Sequence, residues 1–142
     1  MHTPHPWSDP SQLDDLFLYQ LAKLLGSAGA MVIGLCEGGY GITRREWRMV
    51  GLLAEHGQLQ PSALAELAQL DRTRTSRTVT ALIAKGLVQR EAQAGDARRA
   101  LLQLSANGQQ LFAELFPRIQ AINLELLSTV PPQELHAMAS AF

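Results

Sequence analysis

The stretch DRTRTSRTVTALIAKGLVQRE, residues 71–91, decides how the rest of the chain is read. Its first half carries Arg72, Arg74 and Arg77 among Thr73, Thr75, Ser76 and Thr78, and its second half turns apolar. No acid lies between Asp71 and Glu91, whereas a merely solvated helix face mixes both signs of charge. On a wheel at about 100° per residue, Thr75, Val79, Leu82 and Ile83 fall within one inward-facing arc. Thr73, Arg74, Arg77, Thr78 and Ala81 lie on the other side. Those are the side chains that reach base edges: arginine to guanine, hydroxyls to several bases, methyl groups to thymine. Asp71 opens the helix, and Lys85 with Gly86 closes it as a basic last residue and a glycine beyond the end.

Immediately upstream, PSALAELAQL (61–70) predicts a short helix with Ser62 near its start and Leu64, Leu67 and Ala68 facing inward. Two helices joined by so tight a turn form a helix-turn-helix, the second shaped to enter a major groove. Downstream, LVQRE (87–91) and ALLQLS (100–105) alternate in the manner of strands, and the polar AQAGDARR (92–99) between them reads as a hairpin tip. A helix-turn-helix followed by a hairpin with arginines at its tip is a winged helix. The wing tracks the DNA backbone or places an arginine in the minor groove. The candidate DNA contacts are Ser62, Thr73, Arg74, Thr75, Ser76, Arg77, Thr78, Arg98 and Arg99.

Further out the chain is helical. TRRE (43–46) is a capping box that starts a helix with Trp47, Val50, Leu53 and Ala54 on one face, stopping near His56-Gly57. Leu13 to Cys36 predicts one long helix that EGGYG (37–41) ends. From Ser105 a second long helix carries Leu111, Phe112, Leu115, Ile119, Ile122 and Leu126 at helical spacing, with Pro117 expected at a kink or break. PPQEL (131–135) opens a last helix without a C-terminal cap, and residues 1–12, rich in proline, read as a flexible arm.

Composition sets limits. A chain of 142 residues, 46% of them hydrophobic, builds one compact unit with a sizeable core. The formal net charge of −1 hides a basic footprint: residues 71–99 hold seven cations against three acids. One cysteine, Cys36, allows no intrachain disulfide and fits a reducing, cytoplasmic setting. The N-terminus lacks a signal-peptide pattern, and the low-charge run Leu24–Cys36 is too short to span a bilayer, so no membrane is expected. The histidines are scattered, no metal-ligand spacing occurs, and neither a nucleophile elbow nor a phosphate loop is present, so no cofactor and no enzyme activity are expected.

The stretch SRTVTALIAKGLVQREAQAGDARRALLQLSANG (76–108), with YGITRREWRMVGLLAEHG (40–57) and LAELAQLDRT (64–73), resembles the MarR family of bacterial transcriptional regulators. The resemblance runs over roughly residues 13–142. It implies a mainly α fold with a small β-wing: a dimerisation helix at 13–40, a winged helix-turn-helix at 43–105, and C-terminal dimerisation helices at 106–142. It further implies a homodimer on a pseudo-palindromic double-stranded DNA operator, acting as a repressor released by a small aromatic or phenolic ligand. Arg98 would be the wing arginine held by Asp96, and Arg90 a structural ion-pair partner at the wing base. An effector pocket between the dimerisation helices and the DNA-binding lobe would be lined by Tyr40, Trp47 and Arg48; the other reading makes Trp47 core and Arg48 a solvated or ion-paired side chain. Two departures stand out: Thr80 replaces an acid common in the family, and the last helix is short. Two competing readings remain, a winged-helix protein–protein module without DNA and a thiol-based redox sensor using Cys36. Against the second, Cys36 lies at the far end of the first helix with no cation close in sequence.

Overall fold

The computed structural model describes residues 5–93 and 96–142, with the side chains of residues 93–99 outside the description. Helix α1 (Phe17–Gly34) runs into a π-helical turn (Leu35–Gly39), followed by α2 (Arg44–His56) and a two-residue strand β1 (Gln58–Leu59). Then come α3 (Pro61–Ala68), α4 (Arg72–Ala84), strands β2 (Val88–Gln93) and β3 (Asp96–Leu104), and helices α5 (Ala106–Leu127) and α6 (Pro132–Ala141). The sheet is antiparallel in the order β1-β3-β2, with Val88 opposite Leu104 and Leu59 opposite Leu102. This is a winged helix-turn-helix with long helices at both ends.

Each helix start has a local cause. Thr43 Oγ1 accepts from the Glu46 amide at 3.0 Å, while the Glu46 carboxylate accepts from the Thr43 amide, closing the expected capping box. Asp71 Oδ1 accepts from the Arg74 amide at 2.8 Å and so caps α4. The turn between α3 and α4 is made by Gln69 in the left-handed region, φ 55°, with the Leu70 amide returning to the Ala65 carbonyl. Ser105 does three things at once. Its hydroxyl accepts from the Gly108 amide and donates to the Gly86 carbonyl at 2.6 Å, and its own amide donates to the Leu87 carbonyl. A Cβ on Gly108 would run into that Leu87 carbonyl, so glycine is what lets α5 start against the wing.

One core joins these pieces. Met49, Val50 and Leu53 from α2 meet Leu64 and Ala68 from α3, Val79 and Leu82 from α4, Leu102 and Leu104 from β3, and Leu115 from α5. Ile42 and Cys36 close it from the α1–α2 junction. At about 25 cal/mol per Å² of apolar surface removed from water, burial on this scale is what holds the wing and helix-turn-helix together.

Several expectations are corrected. The buried arc of α4 is rotated by part of a residue step, so Thr78 enters it and Ile83 leaves it, 38% exposed. Leu67 also faces out, because the short α3 buries Leu64, Ala65 and Ala68 instead. Leu13 is not helical: Asp15 accepts from the Ser11 and Gln12 amides and fixes a 3-10 turn over Leu13–Asp15. The Ser11 amide, above all, holds the Asp15 carboxyl below its ordinary range. Helix α5 is unbroken at Pro117. Within the predicted arm, Pro6–Ser8 forms another 3-10 turn, and Trp7 packs on Phe17 with ring centroids 4.7 Å apart. The apolar helical run extends from Phe17 to Gly39, 23 residues, so it is longer than Leu24–Cys36 and by length and composition long enough to cross a membrane.

Candidate nucleic-acid interface

Helix α4 presents Arg72, Thr73, Arg74, Ser76 and Arg77 on its exposed side. Arg74 approaches Asp71 at 3.5 Å, but both side chains are well exposed, and such a pair contributes little and releases easily. Thr75 and Thr78, candidates from sequence, do not belong to this set. Both are buried, at 2% and 7% exposure, and their hydroxyls donate to the Asp71 and Arg74 carbonyls one turn back. A hydroxyl satisfied inside its own helix leaves no donor for a base.

Ser62 is exposed at the start of α3, just after Pro61. It shares a cleft of about 420 Å³ with Gln60, Arg72, Ser76 and Arg90, so α3, α4 and the wing base converge there. Arg90, read as an ion-pair partner at the wing base, is exposed, and among the described residues none of the three ion pairs includes it. The side chains of Asp96, Arg98 and Arg99 lie outside the described residues, although the backbone from Asp96 onward belongs to β3. The wing base carries a polar ladder that sequence reading missed: Gln58 donates to Gln103 at 2.8 Å, and both amides approach Glu91. Strand β1 was missed with it, because two residues are too few for alternation to show.

The three effector-pocket candidates separate. Trp47 is half-buried and stacks on Phe112 at 5.6 Å, and Phe112 stacks on Phe116. Tyr40 lies under the Arg118 guanidinium, 5.6 Å from its ring centroid. Arg48 points elsewhere: its Nη1 donates to the Ala68 carbonyl at 3.3 Å, on the side of α2 that meets α3 and α4. No described cavity is lined by all three. Cys36 is fully buried, and burial, with a smaller contribution from Glu37, pushes its thiol above the ordinary range. Less thiolate behind a packed surface argues against the redox reading.

Residues 40–99 match the model of the MarR family. The HTH-type transcriptional regulator FarR of Neisseria gonorrhoeae is 38% identical over 74 residues, which is 52% of this chain and 51% of that protein. The match therefore spans about half the length of that curated relative. The crystal structure of a probable transcriptional regulator from Pseudomonas aeruginosa is 27% identical, with a TM-score of 0.76 over 92% of this chain and 96% of that one. BpsR of Bordetella bronchiseptica, described for regulation of its DNA binding by 6-hydroxynicotinic acid, shares the fold at 17% identity and a TM-score of 0.81, covering 93% and 94% of the two chains. A matched sequence block centred on the helix-turn-helix, a buried core that assembles it with a wing, and structural likeness extending over both terminal helices agree: residues 40–99 are similar to the MarR family of transcriptional regulators, and the chain as a whole shares the fold of such regulators.

Proposed function

We propose that the chain binds double-stranded DNA sequence-specifically, as a homodimer on a pseudo-palindromic operator, and acts as a repressor released by a small aromatic or phenolic ligand. One observation carries the DNA reading: Thr73, Arg74, Ser76 and Arg77 stand exposed along one helix, beside a cleft that adds Ser62, Arg72 and Arg90. The outer face of α4 reads base edges, while the α3 start and the wing base hold phosphates. Arg98 at the wing would add a minor-groove or backbone contact. The dimer reading is supported by the terminal helices, whose Leu18, Leu24, Leu25 and Leu124 are all more than half exposed in the single subunit. A twofold mate covering them would set two α4 helices about one duplex turn apart. The ligand reading draws on BpsR and on the aromatic stack of Trp47, Phe112 and Phe116 at the junction of α2 with α5. Such a ligand weakens DNA binding only by its preference for one dimer shape over another. A cytoplasmic setting follows from the DNA partner.

Selection of bound sequences from random duplex by the purified protein tests this directly. A recovered palindrome, with log affinity falling linearly against log salt, is expected. Equal affinity for that palindrome and for random duplex would overturn the regulator reading. It would favour instead a protein-binding module, whose affinity depends weakly on salt.

A further inference from the structure

The other flank of α4 is bordered by a second cleft, of about 480 Å³, between the start of α2 and the middle of α4. Arg44, Arg45, Arg48 and Arg77 all line it, with Glu37 and Glu46. Glu46 is already engaged: it accepts from Lys85 Nζ at 2.6 Å and from the Thr43 amide at 3.2 Å. That leaves four guanidinium groups facing Glu37 alone, and among the described residues none of the four makes an ion pair. The arrangement is partly built. Arg44 is half-buried, its Nη1 lying against Gly29 of α1, and Arg48 is steered by its bond to the Ala68 carbonyl. Arg45 is exposed at the first turn of α2.

We propose that this cleft is a second phosphate-binding flank of the DNA interface, in which Arg45 and Arg48 hold a backbone phosphate beside the groove that Arg77 enters. The inference rests on the duplex reading given above. A helix lying in a major groove has a sugar-phosphate strand along each side, and only one of those sides is met by Ser62, Arg72 and Arg90. Helix α2 precedes the helix-turn-helix and packs against both of its helices, which brings its first turn alongside α4. Thr78 and Ala81 line the cleft on the α4 side, and these small side chains leave space for a phosphate to seat. Planar guanidinium forks match phosphate oxygens in pairs, which the ammonium of a lysine does not. Convergent cations of one sign are otherwise a cost, relieved when an anion enters between them.

The test compares the full chain with Arg45→Ala/Arg48→Ala on the selected palindrome and on random duplex across a salt series. The slope of log affinity against log salt should become shallower by about 0.9 for each phosphate that is no longer neutralised, equally on both sequences. Arg45→Gln alone, at an exposed position with no described hydrogen bond, keeps the test valid if the double variant unfolds, and should lower the slope by about 0.9. If the wild-type protein binds the palindrome and neither variant changes the slope, the inference is overturned while the DNA reading stands. If the wild-type protein shows no salt-dependent binding at all, it is the DNA reading that fails. Titration with sodium benzoate and with inorganic phosphate, without DNA, separates the sources of the anion. Binding of either that the variants abolish, with an unchanged DNA slope, would make the cleft a site for free small anions and overturn the proposal.

Discussion

The winged helix-turn-helix and the terminal helices solve the problem of apolar surface differently. From α2 to β3 the large aliphatic side chains are shared inside one cluster, and Met49, Val50, Leu64, Leu82 and Leu102 are fully enclosed. In α1, the far half of α5 and α6, buried residues nearly vanish: α1 buries only Gly29, and α6 buries none. Leu18 is 76% exposed and Leu124 69%. One half encloses its core, with Leu115 of α5 and Cys36 closing it. The other carries the composition of a core without anything in the subunit to cover it. Exposed apolar side chains gathered on these helices fit the subunit interface proposed above.

That contrast can be broken from either side. The largest effect is expected within the finished half, where Leu82→Ala should lower unfolding free energy by about 2–5 kcal/mol through the cavity it leaves; a denaturant titration measures it. Leu18→Glu combined with Leu124→Glu touches only exposed positions, so a lone subunit should tolerate it to within about 0.5 kcal/mol per site. In the proposed dimer the same change should instead make the mass found by sedimentation fall to that of one subunit. A dimer that persists unaltered would place these residues outside the subunit interface. Arg77→Ala should weaken operator binding by about 1–3 kcal/mol and relax sequence preference if the guanidinium reads a base. An equal weakening on all sequences would make it a phosphate ligand. Thr78→Val should leave DNA affinity within about twofold, a change of ~0.4 kcal/mol, because its hydroxyl already serves the Arg74 carbonyl. Cys36, last, should resist alkylation in the folded protein and react once it is unfolded; its raised pKa keeps it a neutral thiol at neutral pH, and rising pH should quicken the native reaction only in the alkaline range.

Much of the finished half is legible in the sequence because its signals are local. The Thr43–Glu46 box, the Asp71 cap and the glycine after Lys85 each act within four residues, and each forms as expected. What sequence reading misses depends on residues far apart in the chain. Strand β1 exists because β3 lies beside it, and the rotation of α4 that hides Thr78 is set by α2 and α3. Arg45 and Arg48 show the same limit at the interface. In TRREWR the cap dominates the reading, and nothing in that stretch says that Arg77, about thirty positions on, lines the same cleft.

Lys85 has a consequence of a mechanical kind. Its ammonium holds Glu46 at 2.6 Å and the Gly41 carbonyl at 2.8 Å, so the tail of α4 is bolted to the head of α2 and to the hinge through which the π turn leaves α1. In the proposed DNA complex, an α4 fastened in this way would move together with the head of α2. Tilting the first helix by a few degrees would swing the whole lobe like a rudder on its post, and a molecule lodged far from the duplex would need only to lean on that post.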